Sequence, residues 1–110
     1  MRQKEIWYAD LNPTRGREQK GVRPVVVISG NAMNDHSDLC IVCPLTSKIK
    51  NYATCLVLSK DLLNHLKSDS EVLTFQVRTI SKDRLSKKIG EITTEHLRKI
   101  LEGLVDVLQY

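Results

Sequence analysis

Hydrophobic positions along this chain follow two patterns. Over most of its length they come in short runs, separated by glycines, prolines and polar stretches. Near the end they recur every three or four residues. The short runs read as strands. Glu5–Asp10 is an aromatic-rich candidate that stops at Asn12-Pro13. Val25-Val26-Val27-Ile28 is an unbroken β-branched run, which fits a strand buried on both faces, and Pro24 suits its first position. Leu39–Cys43 is a third strand, stopped by Pro44, and residues 53–58 are a fourth. Glu71–Ile80 reads as a fifth strand with two faces. Leu73, Phe75, Val77 and Thr79 would point one way, and Val72, Thr74, Gln76 and Arg78 the other. The polar stretches 13–21 and 30–38 read as loops. Ser59 would cap a short helix over residues 59–66.

The last element has helical spacing. Leu97, Ile100, Leu101, Leu104 and Leu108 make one apolar stripe. Thr93 suits the N-cap, and Ile92 and Leu97 are spaced as a hydrophobic staple. Gly103 lies inside this helix at a propensity cost of about 1 kcal/mol. Five short strands followed by one helix predict a mainly β fold with a C-terminal helix. Its form would be a strongly bent antiparallel sheet or half-barrel. The length, 110 residues, fits one domain over 1–110.

Composition adds charge to this picture. Seventeen Lys and Arg face thirteen Asp and Glu, a net charge of +4. Residues 1–23 carry six cations against three anions and residues 71–90 five against two, while residues 91–110 are net acidic. This permits an anionic partner and excludes a polybasic membrane anchor. No apolar run approaches the roughly 18 residues of a membrane span, and no signal-peptide stretch follows Met1. The expected compartment is the cytoplasm, with no membrane partner. Cys40, Cys43 and Cys55 cannot all pair within the chain, which suits a reducing environment.

Three places are candidates for chemistry. The first is Arg15-Gly16-Arg17-Glu18-Gln19-Lys20-Gly21-Val22-Arg23-Pro24. There Arg23 stands just before a buried strand, and its planar fork matches phosphate oxygens. A solvated loop with Arg23 paired to a surface carboxylate is the alternative. The second is Pro44-Leu45-Thr46-Ser47, where two adjacent hydroxyls would meet a phosphate or a sugar, or else bond the local backbone. The third is the Gln76 and Arg78 face, which is otherwise an ordinary solvent face. Cys40 and Cys43 are spaced C-x-x-C, but they lie inside a predicted strand without a second ligand pair. They read as core residues, so no metal site is expected. His36, His65 and His96 are scattered, and no glycine-rich phosphate loop or other cofactor motif is present.

Taken together these segments form a recognisable set. Glu5-Ile6-Trp7, Asp10-Leu11-Asn12-Pro13-Thr14, Glu18-Gln19-Lys20-Gly21, Arg23 to Ser29, Pro44-Leu45-Thr46-Ser47 and Gln76-Val77-Arg78-Thr79-Ile80 stand in the order and spacing of the MazF/PemK toxin family. Asp83-Arg84-Leu85 and the closing helix fit as well, so the resemblance covers nearly the whole chain. It implies an SH3-like small barrel, a homodimer, and a sequence-specific, metal-independent endoribonuclease. The substrate would be single-stranded mRNA, and the products a 2′,3′-cyclic phosphate and a 5′-hydroxyl. A cognate antitoxin with an acidic, largely disordered segment would cover the site. Arg23 matches the family's catalytic arginine and Thr46 its catalytic threonine. Glu18 is the carboxylate placed to act as base or to orient Arg23.

RNA contacts would come from Asn12, Thr14, Arg15, Arg17, Gln19, Lys20, Ser47, Lys48, Gln76 and Arg78, with Lys50 also within the basic set. The chain departs from the family at Phe75. Many relatives carry an acidic residue immediately before the matching glutamine, so that residue's acid–base role does not transfer. Relatives also vary at the position of Arg17, where some carry His. The alternative within the same fold is a non-cleaving toxin or an RNA-binding regulator. A CcdB-like gyrase binder would need a C-terminal Trp-Gly-Ile ending, whereas this chain ends Val107-Leu108-Gln109-Tyr110.

Overall fold

The computed structural model describes residues 1–109; Tyr110, the last residue of the C-terminal ending discussed above, lies outside them. Seven strands form one bent antiparallel sheet: β1 (Glu5–Asp10), β2 (Val22–Val27), β3 (Leu39–Thr46), β4 (Leu56–Leu58), β5 (Ser70–Val72), β6 (Arg78–Ser81) and β7 (Leu85–Glu91). A short helix α1 (Asn31–His36) and a long helix α2 (Thr94–Gln109) complete it. The strand order is β4-β5-β3-β2-β1-β7, with β6 also pairing with β3.

The central strand is β3. Its start pairs with β6 (Cys40 with Ile80), its end with β5 (Thr46 with Glu71), and its other edge with β2 (Val26 with Cys43). This bent sheet has apolar clusters on both faces. Val26, Ile28, Cys43 and Leu45 join Ile6, Leu97 and Ile100 in the core beneath α2. Val25, Val27, Cys40 and Val42 join Ala9, Leu11 and Ile80 in the other. The unbroken β-branched run is therefore explained: alternate residues fill opposite cores, so none needs to be polar. The barrel-like sheet with a C-terminal helix agrees with the expected fold class.

Several local expectations need correction. Residues 59–66 form turns. Asp61 Oδ1 accepts from the Leu63 and Asn64 N–H groups, and buried Asn64 accepts through Oδ1 from Asp61 and Leu66 N–H. These side chains offer the backbone partners that a helix would have supplied. The expected strand 71–80 is broken in its middle, where Gln76 N–H donates to Leu73 C=O and Val77 N–H to Thr74 C=O in a 3₁₀ turn. The two-faced alternation fails with it: Thr74 is fully buried, while Phe75 and Val77 are exposed. Two elements were not foreseen, α1 and β7. The latter is a charged edge strand held by its register to β1.

The closing helix begins as expected, with His96 N–H donating to Thr93 Oγ1 at 3.0 Å and Ile92 and Leu97 both buried. Its apolar stripe is narrower than predicted. Leu97 and Ile100 are buried, but Leu101 and Leu108 are exposed.

Candidate active site

The loop between β1 and β2 folds back on the sheet. Leu11 N–H donates to Gly21 C=O at 3.0 Å, and Gly21 N–H donates to Asn12 Oδ1 at 3.2 Å. Gly21 has φ of +77°, a left-handed turn that brings the chain directly into β2. Within the loop Glu18 accepts from Arg15 N–H at 2.6 Å. Gln19 N–H donates to Gln76 Oε1 at 2.7 Å, which ties the loop to the turn before β6. Arg78 secures it from beneath by donating to Leu11 C=O at 3.1 Å. Asn12 and Arg78 thus spend part of their hydrogen-bonding capacity on building the loop. Thr14 is half-buried in it, and Arg15, Arg17 and Lys20 are exposed.

Arg23 lies on β2 opposite Ala9 of β1. Its Nε donates to Lys20 C=O at 2.9 Å. The β2–β3 ladder ends where Val25 pairs with Pro44; Arg23 lies just beyond it on β2, and Thr46 just beyond it on β3, where it pairs with Glu71 of β5. Thr46 is nearly buried, and its Oγ1 accepts from Lys48 N–H at 3.1 Å. A hydroxyl used as acceptor keeps its proton for donation elsewhere. The adjacent hydroxyls divide between two hollows. Ser47 lines a cleft of about 190 Å³ with Arg23, Tyr8 and His65. Thr46 lines a neighbouring groove with Arg17, Gln19, Lys48, Lys50 and Gln76. Glu18 borders a third hollow with Gln19, Gln76 and Arg78. The alternative in which Arg23 pairs with a surface carboxylate is not seen among the described residues; its Nε donates to a backbone carbonyl.

Charge is unevenly compensated. The ion pairs among the described residues involve Arg2, Lys88 and Arg98, all outside these hollows. Arg15, Arg17, Lys20, Arg23, Lys48 and Lys50 therefore stand without a carboxylate partner and present a positive surface around two hydroxyls. Among the described residues no cluster of three or more His, Cys, Asp or Glu is placed to hold a metal ion. Gln19 Oε1 is buried without a partner, a costly arrangement of the kind that functional sites tolerate.

Sequence reasoning missed two contributors. Glu71 is fully buried beneath the β3–β4 connection. Its carboxylate accepts from the N–H groups of Lys50 (2.8 Å), Asn51 (3.2 Å) and Tyr52 (2.8 Å). It thereby fixes the segment that carries the groove's lysines. The only signal was a carboxylate beside the apolar Val72-Leu73. Tyr52 is the other, its ring packed on Phe75 at the groove's edge.

A bent β-sheet that gathers unpaired cations around a buried strand-end hydroxyl is the class of surface that suits a polyanionic chain. Comparison with known proteins gives that class a family. The profile described as a PemK-like, MazF-like toxin of type II toxin–antitoxin systems matches residues 2–108. The endoribonuclease EndoA of Bacillus subtilis is 37% identical over 101 residues, covering 91% of this chain and 87% of that protein. The endoribonuclease MazF of Staphylococcus saprophyticus is 33% identical over 102 residues, covering 91% and 84%. A crystal structure of MazF from Deinococcus radiodurans superposes with a TM-score of 0.86 at 26% identity, covering 100% of this chain and 97% of that one. A mycobacterial endoribonuclease solved with its cognate antitoxin has a similar fold, with a TM-score of 0.80 at 23% identity over 98% and 94%. This chain belongs to the PemK-like, MazF-like toxins of type II toxin–antitoxin systems.

Proposed function

We propose that this chain is a toxin endoribonuclease that cuts single-stranded mRNA at specific sequences, without a metal ion. It would act in the cytoplasm as a homodimer and be neutralised by a cognate antitoxin. One observation supports the chemistry: an arginine with no carboxylate partner among the described residues and a threonine whose hydroxyl accepts from Lys48 N–H stand near neighbouring ends of two paired strands. Relatives named as endoribonucleases, and a fold neighbour solved with its antitoxin, support the reading.

Metal-free RNA cleavage starts from the 2′-hydroxyl next to the scissile phosphate. Its oxygen bonds to phosphorus while the bond from phosphorus to the 5′-oxygen breaks. One proton leaves the 2′-oxygen and one reaches the departing 5′-oxygen, giving a 2′,3′-cyclic phosphate and a 5′-hydroxyl. Charge builds on the phosphate oxygens in between. Arg23 holds that charge with a fixed, bidentate donor set, and Thr46 donates a further hydrogen bond. Neither role needs Arg23 or Thr46 to take the proton, so they serve whichever group does. Glu18 is the loop carboxylate for that proton. Its Oε1 receives Arg15 N–H, leaving Oε2 as a free acceptor. Arg15, Arg17, Lys20, Lys48 and Lys50 would track the flanking phosphates.

Incubation of the purified protein with a long RNA in EDTA, followed by mapping of the ends, tests this reading. Cyclic-phosphate and 5′-hydroxyl ends at one recurring sequence are expected. Arg23→Ala and Thr46→Ala should each slow cleavage by roughly 10²–10³ while the circular-dichroism spectrum stays unchanged. Intact RNA with folded protein would overturn it. RNA binding without cutting would favour the non-cleaving regulator, a reading motivated by Phe75.

A further inference from the structure

We propose that Tyr52 and Phe75 form a stacking platform for one unpaired base of the single-stranded RNA, an inference that rests on the function proposed above. Their ring centroids are 4.9 Å apart and their planes are 78° to one another. Both residues are exposed, Tyr52 at 45% and Phe75 at 43%. Both line the groove that contains Thr46, Lys48 and Lys50.

The pair is firmly held. Glu71 fixes the backbone N–H groups of Lys50, Asn51 and Tyr52 on one side. On the other, the 3₁₀ turn closed by Gln76 N–H to Leu73 C=O presents Phe75. Between them Thr74 Oγ1 donates to Thr54 C=O at 3.0 Å, joining the two segments. Rings mounted this way lose little freedom when something lies on them. A perpendicular pair leaves ring faces that the partner ring does not cover. A base lies flat on such a face and is walled by the second ring. Lys48 and Lys50 beside it meet the phosphates on either side of that nucleotide, and among the described residues no carboxylate lines the groove to repel them. Because every base has a π face, the platform fixes where a nucleotide sits whatever its base.

The test uses two probes. One is a fluorescein-labelled single-stranded DNA 12-mer of random sequence, which lacks the 2′-hydroxyl and cannot be cut by this chemistry. The other is the long RNA. Phe75→Leu and Tyr52→Leu keep apolar bulk but remove the flat ring. Each should weaken 12-mer binding by about tenfold, within the span expected for one lost stack. Each should also raise KM for RNA while leaving kcat near wild type. Tyr52→Phe keeps the ring and should bind within about twofold of wild type, as an exposed change should. Wild-type affinity in both leucine variants overturns the platform, and so does a wild-type protein that binds no single strand. Ring-dependent binding in a protein that leaves RNA intact upholds the platform and overturns the cleavage reading.

Discussion

Glu71 makes the strongest stability prediction. Replacing it with alanine removes the acceptor of three backbone N–H groups, those of Lys50, Asn51 and Tyr52. Hydrogen bonds to a charged group contribute about 1.5–3 kcal/mol each, and a buried donor left unpaired costs about 1–3 kcal/mol. These figures are not additive, and water entering the vacated space would satisfy some of the donors. A loss of about 4 kcal/mol is therefore the expectation, against a typical total stability of about 5–15 kcal/mol. Glu71→Gln keeps one oxygen but turns an amide NH₂ towards N–H donors, so about 2 kcal/mol is expected. Urea titration at neutral pH reads this as a lower midpoint with an unchanged slope. Lys48→Ala, a nearby surface change, serves as the control and should stay within about 0.5 kcal/mol. An alanine variant at position 71 that is equally close to wild type would refute the argument that this carboxylate holds the loop.

Two further predictions concern packing and charge. Gly103→Ala should destabilise the protein by about 2 kcal/mol in thermal or urea unfolding, although alanine favours a helix by about 1 kcal/mol. The added Cβ would stand 2.2 Å from Thr54 C=O, a carbonyl that Thr74 already engages; a more stable variant would sink this account. Glu5 should contribute an acid-sensitive stability. Burial pushes its carboxyl pKa up, but donation from Arg2 N–H, Lys88 and Trp7 outweighs this and leaves it below the ordinary value. The folded form therefore binds a proton less readily than the unfolded one. Its stabilisation is full above the unfolded pKa and fades as pH falls through the folded one. Glu5→Gln should flatten the stability profile below about pH 4.5, and an unchanged slope there would count against it.

The legible parts of the fold were those set by local pattern. The β-branched run at Val25–Ile28 and the capped start of α2 declare themselves in sequence, because burial on both faces and an orphan helix N–H each demand particular residue types. The missed β7 reads Leu-Ser-Lys-Lys-Ile-Gly-Glu. It is an edge strand, where charge is tolerated and protects against pairing with other chains. Gly103 looked like a plain propensity cost, and only the approach of the Thr54 backbone explains it. The site divides in the same way. Arg23, Thr46 and the loop before β2 were singled out through motif and resemblance. Glu71 and the Tyr52 ring were not, since their roles depend on how the β3–β4 connection wraps over β5, a contact between segments about twenty residues apart.

Arg23 is held by a carbonyl, and this bears on kinetics. A carboxylate partner would take up a proton in acid and so change the field at the site. A peptide carbonyl does not titrate, and an arginine keeps its charge at any pH that a protein tolerates. In the proposed mechanism, the pull of Arg23 on the scissile phosphate would therefore not depend on a titrating partner. On that proposal, a rise or fall in the cleavage rate with acidity would belong to the groups that exchange protons with the 2′- and 5′-oxygens. A pH–rate curve on this protein would then be a record of those groups.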